Sequence, residues 1–122
     1  MANTFKVVTF AAEPNSAGTP YVVYTAGTGV TTVVLGLILT NINTAQVTAE
    51  VELVSDTGNR GGSNDVTNGT AFLAKDIPIP VGSSVELLSG NKVVLEATDQ
   101  IRIDCSVADK LSGSLSIMEI TA

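Results

Sequence analysis

The chain has 122 residues, of which 44% are hydrophobic and 15% charged, and its formal charge is −6. This balance is too apolar for a disordered chain, and the length suits one domain with one core. Six basic residues against twelve acidic ones disfavour a nucleic-acid-binding surface, because such surfaces are built from clustered lysine and arginine. The longest apolar stretch, Val30–Leu39, is too short for a transmembrane helix, so neither a membrane span nor a signal peptide is predicted.

The first twenty residues are predicted to form a strand followed by an extended arm. Alternating residues favour a strand over Thr4–Phe10. The next segment, Ala11–Pro20, carries Pro14, Gly18 and Pro20 among small residues, a composition typical of irregular chain. Residues 21–122 are predicted to form the β-sandwich itself, in one domain overall.

The segment Val30–Ile42 is predicted to be a strand that is apolar on both faces. Counting alternate residues puts one row of side chains on the first face, and this row is Val33, Leu35, Leu37 and Leu39. The same count puts Val34, Ile38 and Ile42 on the second face. Each face needs a cover, because broad exposed apolar patches are uncommon on soluble monomers. A second sheet or loop of the same chain is one possible cover, and we expect a neighbouring subunit on the face of the first row.

Two further segments alternate cleanly and are predicted to be strands with one face in the core. In Gln46–Val54 the apolar positions alternate with Thr48, Glu50 and Glu52. The run Ile101–Val107 repeats this pattern and places Cys105 at an apolar position. Because Cys105 is the single cysteine, no intrachain disulfide can form, and the thiol is expected to be buried and unreactive.

The remaining strands and turns complete an all-β prediction. Further strands are expected at Tyr21–Thr25, Ala71–Ile79, Ser84–Leu88, Lys92–Glu96 and Ser114–Ile120. About eight strands with a turn about every ten residues predict a single-domain β-sandwich or jelly roll. Ser89–Asn91 is typical of a tight turn between Val85–Leu88 and Val93–Leu95. Ile77–Pro80 fits a sheet edge or a strand end, because its two prolines lack backbone donors. Residues 55–70 are predicted to be a long exposed loop.

The residues that usually carry chemistry are scarce, so we expect no enzyme, no cofactor and no metal. The chain has no histidine and no tryptophan, and one cysteine without histidine cannot complete a zinc site. The acidic pair Glu50 and Glu52 shares one strand face, where such residues are ordinarily solvated. A calcium site in the long loop is a weaker alternative, and it would use Asp56, Asn59, Asn64 and Asp65.

The order of these elements resembles small bacteriophage virion accessory proteins of the capsid decoration, cement or tail-accessory type. The resemblance begins with Pro20–Ala26, continues through Thr32–Thr40 to the polar Asn41, and includes Ala45–Val54. In the second half it is carried by Leu87–Leu95 and the run from Ala97 to Ile103. Turns and alternating strands carry it across nearly the whole chain, and no catalytic residues come with it.

This resemblance implies a structural role on the surface of a virion, after synthesis in the host cytoplasm. It implies a homotrimer that binds the phage major capsid protein, or a tail protein, and neither nucleic acid nor a membrane. The N-terminal arm is expected to contact the capsid through Phe5, Phe10, Pro14 and Pro20. A tail, fibre-base or baseplate accessory protein is the first alternative. The second is a carbohydrate-binding β-sandwich, which would need exposed tryptophan or tyrosine platforms, and the chain has no tryptophan and only Tyr21 and Tyr24 for them.

Overall fold

A computed structural model describes residues 2–55, 69–88 and 92–121, and these residues form nine strands that pair antiparallel. The described residues contain no helix, and so none that could span a membrane. The strands are β1 (Ala2–Glu13), β2 (Tyr21–Thr25), β3 (Val30–Asn41), β4 (Val47–Val54), β5 (Thr70–Ile79), β6 (Ser84–Leu87), β7 (Val93–Leu95), β8 (Gln100–Cys105) and β9 (Leu111–Thr121). Each strand predicted from the sequence is confirmed. Most strand ends lie one to three residues from the predicted position.

The strands pair into two sheets that pack face to face as a jelly roll. The five-stranded sheet has the order β1-β9-β3-β6, and β7 also pairs with β3. The four-stranded sheet has the order β2-β8-β4-β5. Successive strands therefore cross repeatedly from one sheet to the other, which is the connectivity of a double-sheet jelly roll. This arrangement confirms the predicted single-domain β-sandwich.

The core lies between the inner faces of the two sheets, and alternation along the strands fills it. On β4 the inward residues Val47, Ala49 and Val51 are buried, as their spacing predicts. On β8 the residues Ile101 and Cys105 are buried in the same way, so the inward position predicted for the single thiol is confirmed. The other completely buried large side chains are Val34, Leu37, Leu39, Ile79, Leu95, Ile103, Leu111, Leu115 and Ile117.

A β-bulge interrupts β3 and changes which of its residues face the core. Val34 pairs with Ile117 of β9 while Gly36 pairs with the adjacent Ser116, so Leu35 is an extra residue in the ladder. Before the bulge the even-numbered residues point inward, and after it the odd-numbered ones do. The predicted single row of four residues on one face is therefore wrong.

The two short strands β6 and β7, on either side of the predicted turn, each pair with β3 and not with each other. Both pair antiparallel with β3, β6 beside Leu37–Thr40 and β7 beside Thr32–Val34. They therefore run in the same direction, one after the other, along one edge of β3. The predicted turn residues 89–91 lie outside the described residues. The prolines of Ile77–Pro80 do belong to an edge, since β5 ends the four-stranded sheet, and that prediction is confirmed.

Candidate functional site

The outer face of the five-stranded sheet carries a continuous row of apolar side chains. Phe5 of β1 pairs with Met118 of β9, Met118 pairs with Val33 of β3, and Val33 pairs with Val94 of β7. Phe5 is 71% exposed and Val94 is 54% exposed, while the two middle residues are half-buried. Val7, at 63% exposed, extends the row along β1. The row crosses the full width of the sheet and faces solvent.

A shallow recess lies on the same outer face, beside the bulge of β3. It has a volume of about 270 Å³, and its lining includes Leu35, Gly36, Ile38, Ser114 and Ser116, with Glu86 of β6 at one side. The recess exists because Gly36 has no side chain and the two serines that line it are small. A β-carbon added to Gly36 would meet no atom within 4 Å, so this part of the surface is open above the backbone.

The structure separates the four residues that were predicted to share a subunit contact. Leu37 and Leu39 are completely buried in the core of their own chain, so their side chains offer no surface to a partner. Val33 and Leu35 remain half-buried on the outer side of the sheet. The row therefore splits at the bulge, and Gly36 in an otherwise apolar strand was the sequence signal for it.

The predicted N-terminal arm is part of the sandwich. Residues 2–13 form an edge strand that pairs with β9, and residues 14–20 connect the two sheets. Phe10 and Pro14 are buried and Pro20 is half-buried, so only Phe5 of the four predicted arm residues is widely exposed. The Gly18 amide donates to Asp104 Oδ1 at 3.2 Å, which fixes this connection to the second sheet. The irregular segment predicted over Ala11–Pro20 begins later than expected, because residues 11–13 continue β1 and residues 14–20 connect the first two strands.

One polar network joins the two sheets across the end of the core. The Tyr24 hydroxyl of β2 donates to Glu119 Oε2 at 2.5 Å and lies 2.8 Å from Thr32 Oγ1. Lys6 Nζ lies 2.6 Å from Glu119 Oε1. Hydrogen bonding from Lys6, and then from Tyr24, lowers the pKa of the Glu119 carboxyl. Burial, and then the hydrogen bond to Glu119, raises the pKa of the Tyr24 hydroxyl.

This network bears on the carbohydrate-binding alternative. A sugar platform of the expected kind needs an exposed tryptophan or tyrosine ring, yet the chain has no tryptophan and both tyrosines are half-buried. Tyr21 packs against Phe10, with ring centroids 6.0 Å apart, and the hydroxyl of Tyr24 is engaged within the chain. The two rings therefore act as internal contacts between the sheets.

A second depression, acidic in character, lies beside the connection that follows β1. Its volume is about 210 Å³, and Glu50, Asp76 and Asp104 contribute to its lining. Asp104 Oδ1 accepts from the Cys105 amide at 2.8 Å, and Glu50 Oε1 lies 2.7 Å from Lys75 Nζ. Among the described residues, no group of three His, Cys, Asp or Glu side chains could hold a metal ion. The four residues of the suggested calcium site, 56, 59, 64 and 65, lie outside that part of the chain.

Cys105 also contributes to the lining of this depression, but its side chain is buried in the core. It is 3% exposed, and burial raises its pKa. A thiol is nucleophilic as its thiolate, so a raised pKa and lack of access both lower its reactivity. The side chain therefore behaves as a small apolar core residue.

Comparison with known proteins gives no family for this chain. No protein-family model matches it, and no curated protein matches it. Among solved structures, the one described as "Bacillus endospore appendages form a novel family of disulfide-linked pili" is similar over 98% of this chain and 87% of that chain. The sequence identity is 16% and the TM-score is 0.43.

Proposed function

We propose that this chain is a non-enzymatic structural protein of a phage particle, and that it decorates the capsid by binding the major capsid protein. The observation that carries the proposal is the broad apolar row on the outer face of the five-stranded sheet. Large exposed apolar patches are uncommon on soluble monomers and usually mark surfaces that bind another macromolecule. The sequence resemblance to phage decoration and cement proteins supports the choice of a virion as the setting.

The sandwich suits this role because it is a rigid support for contact surfaces. Two sheets packed through a continuous core hold their outer faces, edges and connecting loops in fixed relative positions. A capsid repeats one binding site many times, so a modest contact made by each subunit suffices. When copies of the protein also bind one another, the later contacts form at high effective concentration. Head stabilisation then follows from many weak contacts acting together.

The net charge of −6 is consistent with a protein partner. Nucleic-acid affinity grows with the number of phosphates that lysine and arginine neutralise. On the described outer surface of the four-stranded sheet, Arg102 and Lys75 are engaged with Glu52 and Glu50. Those two cations are therefore already neutralised within the chain.

The test is the copy number and position of the protein on intact particles of the phage that encodes it. Quantitative mass spectrometry against the major capsid protein should give hundreds of copies per particle, and electron microscopy should place them on the head. A particle that lacks the gene should release its genome at a lower temperature than the complete particle. A few copies confined to the tail would replace the decoration role with the tail-accessory alternative. Absence from purified particles would overturn the virion assignment altogether.

A further inference from the structure

The outer face of the five-stranded sheet differs in composition from the outer face of its partner sheet. In the four-stranded sheet, cross-strand ion pairs lie on the outside beside the exposed Phe72 and Val22, with Arg102 Nη2 2.5 Å from Glu52 Oε1. Charged pairs are normal on the face of an antiparallel sheet that is wet on one side. In the five-stranded sheet, the corresponding positions form the apolar row from Phe5 to Val94, flanked by serine, threonine and glycine. Exposure of this face to water is therefore unfavourable.

Charge is nearly absent from the same face. Among the described strand residues that point outward from this sheet, Glu86 is the one charged residue, and it lies on the short strand β6 at the edge. Two copies of a chain with a net charge of −6 repel one another through most of their surfaces. They can meet through this face without bringing like charges together. Depletion of charge at the centre with a polar rim is also the usual composition of a protein interface.

The face carries a projection and a recess of matching size. Phe5 projects from it with 71% of its surface exposed. The recess beside Gly36 has a volume of about 270 Å³. A cavity of about 150 Å³ is known to hold a benzene ring, so the recess has room for a phenyl side chain. When two copies pack face to face about a two-fold axis, each can place its Phe5 in the recess of the other.

The size of the face also fits a stable pair. Four strands spaced about 4.8 Å apart, and about 40 Å long at about 3.4 Å per residue, make a face of roughly 750 Å². A standard protein interface buries about 800 Å² on each partner. We propose that two copies of this chain bind each other through the outer face of the five-stranded sheet, with Phe5 of each copy seated in the recess beside Gly36 of the other.

This pairing differs from the trimer that the sequence resemblance implies. When a face packs against the same face of a second chain, the contact covers that face on both chains. The assembly therefore closes at two chains. The pairing uses the same apolar row as the proposed capsid contact, so a second copy and the capsid would compete for this face. Pairing is measured on the purified chain in solution and capsid binding on particles, so the pairing does not depend on the proposed virion role. Its failure and the failure of particle binding are therefore separate results.

Sedimentation equilibrium of the purified full chain, over a range of concentrations, tests the pairing. The wild-type protein should have twice the mass of the 12.5 kDa chain. Phe5→Ser removes the projection, and Gly36→Val fills the recess from a position where an added side chain meets open space. Both variants should sediment as single chains at concentrations where the wild type is paired. Circular dichroism and thermal unfolding should show that both remain folded.

Phe72→Ser is the matched control for Phe5→Ser. Phe72 is 51% exposed and lies on β5 of the other sheet, so the same substitution should leave the wild-type mass unchanged. A wild-type protein with the mass of one chain at every concentration overturns the proposal, and so does an assembly of three. A paired protein whose mass is unaffected by Phe5→Ser and Gly36→Val places the contact elsewhere and also overturns it.

Discussion

Replacing Gly113 with alanine should destabilise the protein at the point where three strands approach most closely. Gly113 of β9 pairs with Phe10 on one side and with Leu39 on the other. A β-carbon built there would overlap the carbonyl oxygen of Ile38 and lie 2.8 Å from Cζ of Phe10. The aromatic ring can move aside, but the carbonyl belongs to the backbone of the central strand. Relief of the overlap therefore requires β3 and β9 to separate locally.

The expected cost follows from two opposing effects. Overpacking a well-packed core costs about 1–3 kcal/mol, and a backbone neighbour places this substitution at the upper end. Alanine also restricts the unfolded chain more than glycine does, and this stabilises the folded protein by about 0.4–1 kcal/mol. The net loss should be about 2 kcal/mol, or roughly 6–10 °C in Tm for a domain of this size. Urea unfolding followed by far-ultraviolet circular dichroism measures this loss.

Gly36→Ala is the control for Gly113→Ala. It introduces the same methyl group into the same sheet, where a β-carbon meets nothing within 4 Å. At concentrations where the chains are unpaired, its free energy of unfolding should equal that of the wild type or exceed it by up to about 1 kcal/mol, because alanine restricts the unfolded chain. If Gly113→Ala is as stable as Gly36→Ala, then the close approach of β3 and β9 inferred from the structure is wrong.

Three other groups give separate predictions. Arg102→Met leaves the nearly buried Glu52 carboxylate unpaired, so it should cost about 1–3 kcal/mol in urea unfolding, and Glu52→Gln combined with it should recover part of that loss. Hydrogen bonding from Lys6 lowers the pKa of Glu119, so this carboxylate stabilises the fold at neutral pH and loses that effect as the pH falls through its folded-state pKa. The free energy of unfolding of Glu119→Gln should accordingly fall less at acid pH than that of the wild type. An equal dependence on pH in the two proteins would contradict this. Cys105 should react with a thiol reagent slowly in the native protein and rapidly in urea, and equal rates would show that its burial is wrong.

The strands could be predicted from the sequence because their apolar residues alternate and one face of each strand meets the core. In Val47–Val54 the pattern identifies the inward side chains one by one, and Val47, Ala49 and Val51 are all buried. The edge position of Pro78 could be predicted for a similar reason, since proline has no amide to donate to a second neighbour. These properties belong to single segments and do not depend on which strands pair.

Pairing could not be read from local turn chemistry. Ser89–Asn91 favours a tight turn, and such a turn would allow the strands on either side to form a hairpin. The central strand β3 has twelve residues, however, and its free edge is long enough to accept β6 and β7 in succession. Turn residues show that a chain can reverse direction, whereas the partner of each strand depends on which sheet edge is available.

The candidate surface could be predicted only in part, because it too depends on how the strands pair. Counting alternate residues through Val30–Asn41 assumes an unbroken ladder, and the bulge at Leu35 breaks it. The count therefore placed Leu37 and Leu39 outside, although both lie in the core. The partners of Val33 in the apolar row come from strands that are distant in sequence, so no single segment shows the row.

The bulge at Leu35 connects the stability of the fold to its candidate binding surface. In an unbroken strand the inward phase of Val34 would continue to Gly36, which would leave a gap in the core and expose Leu37 to water. One extra residue reverses that phase, so the leucine fills the core and the glycine opens the recess on the outer face. Core and surface thus depend on the same local irregularity, and this accounts for a glycine within an otherwise apolar central strand.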